Sequence, residues 1–183
     1  MFRDISKILC VDVEMTCWEF FIPENQVPEI IQIGYCWLDT NTLEIENKKA
    51  IYVKPVFSEV SDFCVNLTGI TRKRAYGGMT YEAACKNLIR KAGSRRFAWA
   101  GWGNERQPFY ADCERKQVEY PFNDQFLDIS ALASLFLGLP VNNGLDKTLA
   151  DFGISFEGRR HDGADDAFNQ ARVLAEIIRK VRQ

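Results

Sequence analysis

Short apolar runs, set between polar turns, open this chain, and one long amphipathic stripe closes it. Residues 7–13 (KILCVDV) are short, apolar and rich in β-formers, the pattern of a buried strand. Residues 29–38 (EIIQIGYCWL) and 44–54 (EIENKKAIYVK) predict two more strands. The polar Asp39-Thr40-Asn41-Thr42 cluster between them reads as a hairpin turn, and Pro55 ends the run. From Thr80 to Ala92, the apolar or small residues Ala83, Ala84, Leu88, Ile89 and Ala92 fall at helical spacing. Thr80 is placed to cap that helix and Gly93 to end it, while Ala83 leaves no capping box. A short strand over 97–100 and a helix over 107–115 follow, then a strand over 126–129 and a helix over 130–137. A short helix over 148–152 is closed by Gly153. Ala164, Phe168, Ala171, Leu174, Ala175, Ile178 and Val181 then repeat at three- and four-residue steps, the clearest amphipathic helix in the chain. Three strands followed by helices alternating with short strands predict an α/β fold whose sheet starts antiparallel. With 183 residues and no repeat or linker, one domain over 1–183 is expected.

Composition narrows the class. At 46% apolar and 26% charged residues, the chain matches an ordinary globular protein. It holds no stretch of about 20 apolar residues, so no membrane span is expected. Met1-Phe2-Arg3-Asp4-Ile5 lacks the apolar run of a leader. Six scattered cysteines form no CxxC, which predicts reduced, mostly buried thiols and a cytoplasmic location. With a single histidine and that spacing, a structural zinc site is not expected.

The net charge of −2 hides a segregation: residues 1–70 carry −6, residues 71–120 carry +6 and residues 121–183 carry −2. The basic middle can hold a polyanion near an acidic site, or its arginines and lysines can simply solvate a helix and its loops. Both readings stand on charge alone.

The candidate chemistry lies at the two ends of the chain. Residues two apart in a strand share a face, so Asp12 and Glu14 project together from the first strand. Two carboxylates side by side repel unless a cation offsets them, and hard oxygen ligands suit Mg²⁺ or Mn²⁺. A polar edge strand would give the same pattern. The only histidine, His161, precedes the last helix, and Asp166 falls in that helix's first turn. Carboxylates are favoured there by the helix dipole alone. An imidazole with an ordinary pKa near 6.5 can accept a proton from water at neutral pH. Joined in one site, these groups suit metal-assisted hydrolysis of a phosphodiester.

Four segments occur in an order that resembles a known family: Asp12-Val13-Glu14-Met15-Thr16-Cys17, Pro28-Glu29-Ile30-Ile31-Gln32-Ile33-Gly34, Leu67-Thr68-Gly69-Ile70-Thr71, and His161 with Asp166 five residues later. The chain resembles the DEDDh 3′→5′ exonucleases, and within them the exoribonucleases that trim histone mRNA and small-RNA 3′ ends. The resemblance runs from about residue 7 to 180. It implies an RNase H-like α/β fold, a central mixed five-stranded sheet flanked by helices. It further implies two Mg²⁺ ions, replaceable by Mn²⁺, with Asp12 as the shared ligand and Glu14 and Asp166 completing the cage. His161 would then be the general base toward the attacking water. Met15 and Thr16 would line the pocket of the 3′-terminal nucleotide, and Leu67 would pack against its base. Trp102 is a further candidate for stacking on a base, with Trp99 and Tyr110 nearby in sequence.

One position departs from the family pattern, which places an aspartate shortly after a Trp-Gly turn and four residues before an apolar or aromatic residue. Counting back from Phe109 puts Glu105 there, one methylene longer than aspartate. The segment is also one residue tighter than the pattern, so Asn104 competes for the place. The expected function is metal-dependent 3′→5′ hydrolysis of a single-stranded 3′ end, RNA ahead of DNA, releasing nucleoside 5′-monophosphates. The alternatives are a DNA-directed exonuclease of proofreading or repair type and a weakly active 3′-end-binding module.

Overall fold

The computed structural model describes residues 5–139 and 143–183. The first four residues, read above for a leader, lie outside them. Five strands form a mixed sheet in the order β3-β2-β1-β4-β5. Strands β1 (Lys7–Met15), β2 (Ile30–Asp39) and β3 (Ile45–Tyr52) pair antiparallel, while β4 (Ala98–Gly101) and β5 (Phe126–Asp128) run parallel to β1. The β2–β3 turn is held by the Asp39 carboxylate, which accepts from the Asn41 and Thr42 amides at 2.9 and 3.1 Å.

Strand alternation sorts the core into two layers. Leu9 and Val11 of β1 face a cluster with Tyr81, Leu88, Trp99, Phe109 and Phe122. Ile8 and Cys10 face the opposite side, where Ala171, Val173, Leu174 and Ala175 of the last helix cover them. Helices α3 (Tyr81–Asn87) and α4 (Arg106–Lys116) belong to the first layer. Helices α5 (Ile129–Leu137), α6 (Leu145–Asp151) and α7 (Gly163–Val181) belong to the second. Continuing the alternation past Cys10 puts Asp12 and Glu14 on the α7 side, beyond the end of the apolar core.

Two short helices carried no periodicity signal in the sequence: α1 (Asp62–Thr68) and α2 (Arg72–Tyr76). Caps define them instead. The Ser61 hydroxyl accepts from the Cys64 amide, the Thr71 hydroxyl accepts from the Arg74 amide, and Gly69 ends α1 at φ 71°. The helix expected from Thr80 is also not uniform. Thr80 caps it and Gly93 ends it, but its last turn, Leu88–Ala92, is π-helical.

Candidate active site

A cleft of about 370 Å³ opens at the end of β1, lined by Asp12, Glu14, Trp102, Glu105, His161, Asp166 and Gln170 among others. Residues from both ends of the chain therefore meet where the spacing required it. Oxygen or nitrogen atoms of Glu14, His161 and Asp166 lie within 4.8 Å of one another, close enough to share a cation. Asp12 stands beside them with its Oδ1 accepting from Gln170 Nε2 at 2.6 Å.

Close packing of backbone on backbone makes this convergence possible. A Cβ on Gly34 would lie 1.9 Å from the Gly163 carbonyl carbon, so glycine in β2 lets the start of α7 press onto the sheet beside Asp12. Gln32 fixes the contact: its Oε1 accepts from the Gly163 amide at 2.6 Å and its Nε2 donates to Asp162 at 3.3 Å. Asp162 in turn caps α7, accepting from the Ala164 and Asp165 amides. Asp165 is spent on Lys48 and the Arg159 amide, both at 2.7 Å, which leaves Asp166 to face the cleft. His161 takes a left-handed backbone conformation, φ 59°, in the turn before that cap.

At the departing position, Glu105 lines the cleft, whereas Asn104 is exposed and absent from its lining. Gly101 at the end of β4 gives Glu105 room, since a Cβ there would sit 2.5 Å from Glu105 Cγ. Glu105 Oε2 is buried without a hydrogen-bond partner, as is Gln170 Oε1. A buried, unpaired carboxylate oxygen is costly, and a cation is the partner that removes the cost.

Electrostatics agree with that. Burial, then the neighbouring charges of Glu105, Asp166 and Glu14, push the Asp12 carboxyl well above the usual range. Burial, then Asp166 and other acids, raise Glu14 to about 8. Burial, then Asp166 and Asp128, raise Glu105 to about 8. Asp166 rises to about 7, chiefly through burial, against the pull of the His161 amide. Four carboxyls crowded so that they resist ionising form a donor set suited to hard divalent ions.

The exonuclease family model of RNase T type matches residues 9–174. The chain belongs to this family. Human 3′-5′ exoribonuclease 1 is 30% identical over 182 residues, covering 93% of this chain and 52% of that protein. ERI1 exoribonuclease 2 of Xenopus laevis is 27% identical over 197 residues, covering 93% of this chain and 28% of that protein. The chain thus spans about half, or less, of the length of these relatives. Among solved structures, the nuclease domain of 3′hExo, a DEDDh family member bound to rAMP, superposes with a TM-score of 0.88 at 29% identity, covering 96% of this chain and 93% of that one. The RNase H-like fold with its mixed five-stranded sheet is therefore the fold of the DEDDh nucleases.

Within this exonuclease fold, the remaining expected residues take different places. Trp102 lines the cleft, its indole donating to the Asn143 carbonyl at 3.2 Å. Trp99 is fully buried and stacks on Phe122 at 4.0 Å, a core residue. Tyr110 stacks on Tyr120 at 4.3 Å and does not line the cleft. Thr16 is buried, and its hydroxyl is committed to the backbone of the following loop, accepting from the Glu29 amide at 2.9 Å and donating to the Val27 carbonyl at 3.2 Å. Met15 is half-buried against the first core layer, and Leu67, read from sequence as a loop residue, is half-buried in the last turn of α1. Arg159, which spacing alone does not single out, ties the C-terminal turn of α1 to the histidine turn. Its guanidinium donates to the Thr68 carbonyl at 2.8 Å and to those of Asn66 and Leu67 at 3.3 Å. Gly69 makes the room, since a Cβ there would fall 1.1 Å from Arg159 Nη1.

Proposed function

We propose that this chain is one exonuclease domain that hydrolyses single-stranded nucleic acid from the 3′ end, RNA ahead of DNA, releasing nucleoside 5′-monophosphates. The observation that carries this reading is the meeting of Asp12, Glu14, Glu105 and Asp166 with the sole histidine in one cleft. Asp12, Glu14, Glu105 and Asp166 would hold two Mg²⁺ ions, or Mn²⁺ in their place. Such ions would neutralise the carboxylates, polarise the phosphodiester and make water a better nucleophile at neutral pH. His161, at the rim of the cleft beside Glu14 and Asp166, accepts the proton of the attacking water as general base. Gln170 holds one oxygen of Asp12 in place, so that the carboxylate presents the other to the cleft. Leu67 packs on the terminal base and Met15 borders its pocket. Thr16 contributes by shaping the strand end rather than by touching the nucleotide.

RNA is favoured over DNA by these two relatives, which are named exoribonucleases and each match 93% of this chain. Six free cysteines suit a reducing, cytoplasmic setting, and among the described residues no helix is long and apolar enough to cross a membrane. The test is direct. Matched RNA and DNA oligonucleotides, labelled at the 5′ end, are incubated with the protein in Mg²⁺, in Mn²⁺ and in excess chelator. The expected result is a ladder shortening from the 3′ end, faster on RNA, with 5′-monophosphates as product and no ladder in chelator. Faster shortening of DNA would assign the domain to the DNA-directed reading, and binding without shortening would assign it to the binding-module reading.

A further inference from the structure

We propose that the groove between β3, the α2–α3 connection and the π-helical turn is a second nucleic-acid site, one that holds the phosphate backbone of the single strand upstream of its 3′ end. This rests on the exonuclease reading above. The groove measures about 470 Å³, larger than the catalytic cleft, and its walls include Lys49, Tyr52, Met79, Asn87 and Lys91. No acidic side chain lines it.

Some cations of these elements are neutralised and others, such as Lys73 and Arg90, have no ion-pair partner among the described residues. Lys48 pairs with Asp165, Lys7 with Glu46 and Lys86 with Glu82. Lys49 and Lys91 are exposed, and neither has an ion-pair partner among the described residues. Arg74, at the same margin, lies over the Tyr52 ring at 4.9 Å and likewise has no carboxylate partner among the described residues. A recess lined by one sign of charge concentrates counter-ions, and a polyanion is the ligand that gains most from it.

The groove is a built feature of the fold. Gly78 lets the α2–α3 connection close onto β3, since a Cβ there would sit 2.7 Å from the Tyr52 carbonyl carbon. Met79 then bridges Val53 as a short parallel pair. Asn87 and Lys91, four residues apart across the junction of α3 with the π turn, both reach the same recess.

The catalytic cleft needs such a site. Asp12, Glu14, Glu105, Asp146 and Asp166 line it, against Arg160 as the one permanent cation. Two divalent ions would do little more than cancel those five carboxylates, so attraction for the rest of a strand has to come from elsewhere on the protein. Lys49 lies opposite Tyr35 in the β2–β3 register, on the first core layer's side of the sheet, so a strand leaving the cleft on the α7 side reaches the groove by rounding the β3 edge. The cations line a recess rather than a protruding apolar face, which fits a threaded strand better than a bilayer surface.

The test uses Lys49→Glu/Lys91→Glu beside Lys49→Gln/Lys91→Gln, each checked for an unchanged thermal midpoint. Binding of a long fluorescent single-stranded RNA is read by anisotropy in excess chelator, where nothing is cut. Hydrolysis of the same strand and of a dinucleotide is read in Mg²⁺ or Mn²⁺. The proposal expects at least about tenfold weaker binding for the Glu pair, a smaller loss for the Gln pair, and a salt dependence shallower by about 1.4 for two lost phosphate contacts. Dinucleotide hydrolysis stays at the wild-type rate. Unchanged binding of the long strand, or an equal loss on the dinucleotide, overturns the proposal. If the protein cuts neither substrate, the exonuclease reading falls, and the anisotropy arm still decides the groove.

Discussion

Glu105 shows how a single methylene is accommodated in this fold. The longer side chain starts at the mouth of α4 and reaches the cleft past a glycine at position 101, where any side chain would block it. Its Oε2 is buried without a hydrogen-bond partner among the described residues, a cost that a bound cation would remove. Glu105→Ala should lower kcat/KM at least tenfold, about 1.4 kcal/mol of transition-state stabilisation, while Glu105→Asp keeps most of it. Equal rates for the three proteins would remove Glu105 from the site. At this scale the sequence was legible where the cleft's lining residues fall in short motifs, as Asp12, Glu14, His161 and Asp166 do. It was silent on Gln170, Gln32 and Arg159. Gln170 meets Asp12 across 158 positions, and an amide carries no charge pattern by which to foresee that.

The elements that carry these residues are held by interactions that periodicity does not reveal. Helix α4 is pinned to the loop between β1 and β2 by a buried ionic network. Lys116 donates to Glu29 at 3.0 Å and to Asp112 at 2.7 Å, with both acids fully buried. Glu29 also accepts from the Phe57 and Ser58 amides at 2.8 and 2.7 Å, and Asp112 from the Ile30 amide at 3.0 Å. Removing Lys116 leaves Glu29 buried without its cation, while Asp112 keeps Arg115 at 2.6 Å, so Lys116→Met should destabilise the fold by about 3 kcal/mol in denaturant unfolding. A change under about 1 kcal/mol would mean that the network is neutral in the native protein. Arg159 links two other elements. Arg159→Ala frees the C-terminal turn of α1 that carries Leu67, so KM should rise more than kcat falls, with Arg159→Lys restoring part of the loss. A pure kcat effect would place the residue's role at the histidine turn instead.

Legibility among the elements followed their length. The amphipathic stripe of α7 and the apolar runs of β1 and β2 were plain, because burying one face sets a period over many residues. Helices α1 and α2 have seven and five residues, too few for a period, and depend on their serine, threonine and glycine caps. The sheet order had no local trace at all. Parallel pairing of β1 with β4 joins residues ninety positions apart, such as Ile8 and Ala98, and the family resemblance supplied a mixed five-stranded sheet but not its strand order.

For the whole molecule, the crowded carboxyls tie stability to pH and to metal. Unfolded, these groups titrate near 4. Folded, Glu14 and Glu105 rise to about 8 and Asp166 to about 7, so the native state binds more protons than the unfolded state between those limits. Stability in chelator should therefore fall as pH rises from about 5 to 7. Cys113, whose thiol is drawn down to about 7 by its bond with Cys85, opposes this trend only above that range. Saturating Mn²⁺ should raise the thermal midpoint and flatten the slope, since a ligand that binds only the native state stabilises it. A midpoint that climbs with pH in chelator would show that the acids are not in conflict.

The most direct test is hydrolysis of one 5′-labelled single-stranded RNA by the wild-type protein and by Asp12→Ala, prepared identically and assayed in Mn²⁺ with and without chelator. A ladder that shortens from the 3′ end with the wild type, and disappears both in chelator and in the variant, is the predicted result. A variant that keeps the wild-type ladder would contradict it, because the cleft would then not be where the phosphodiester is cut.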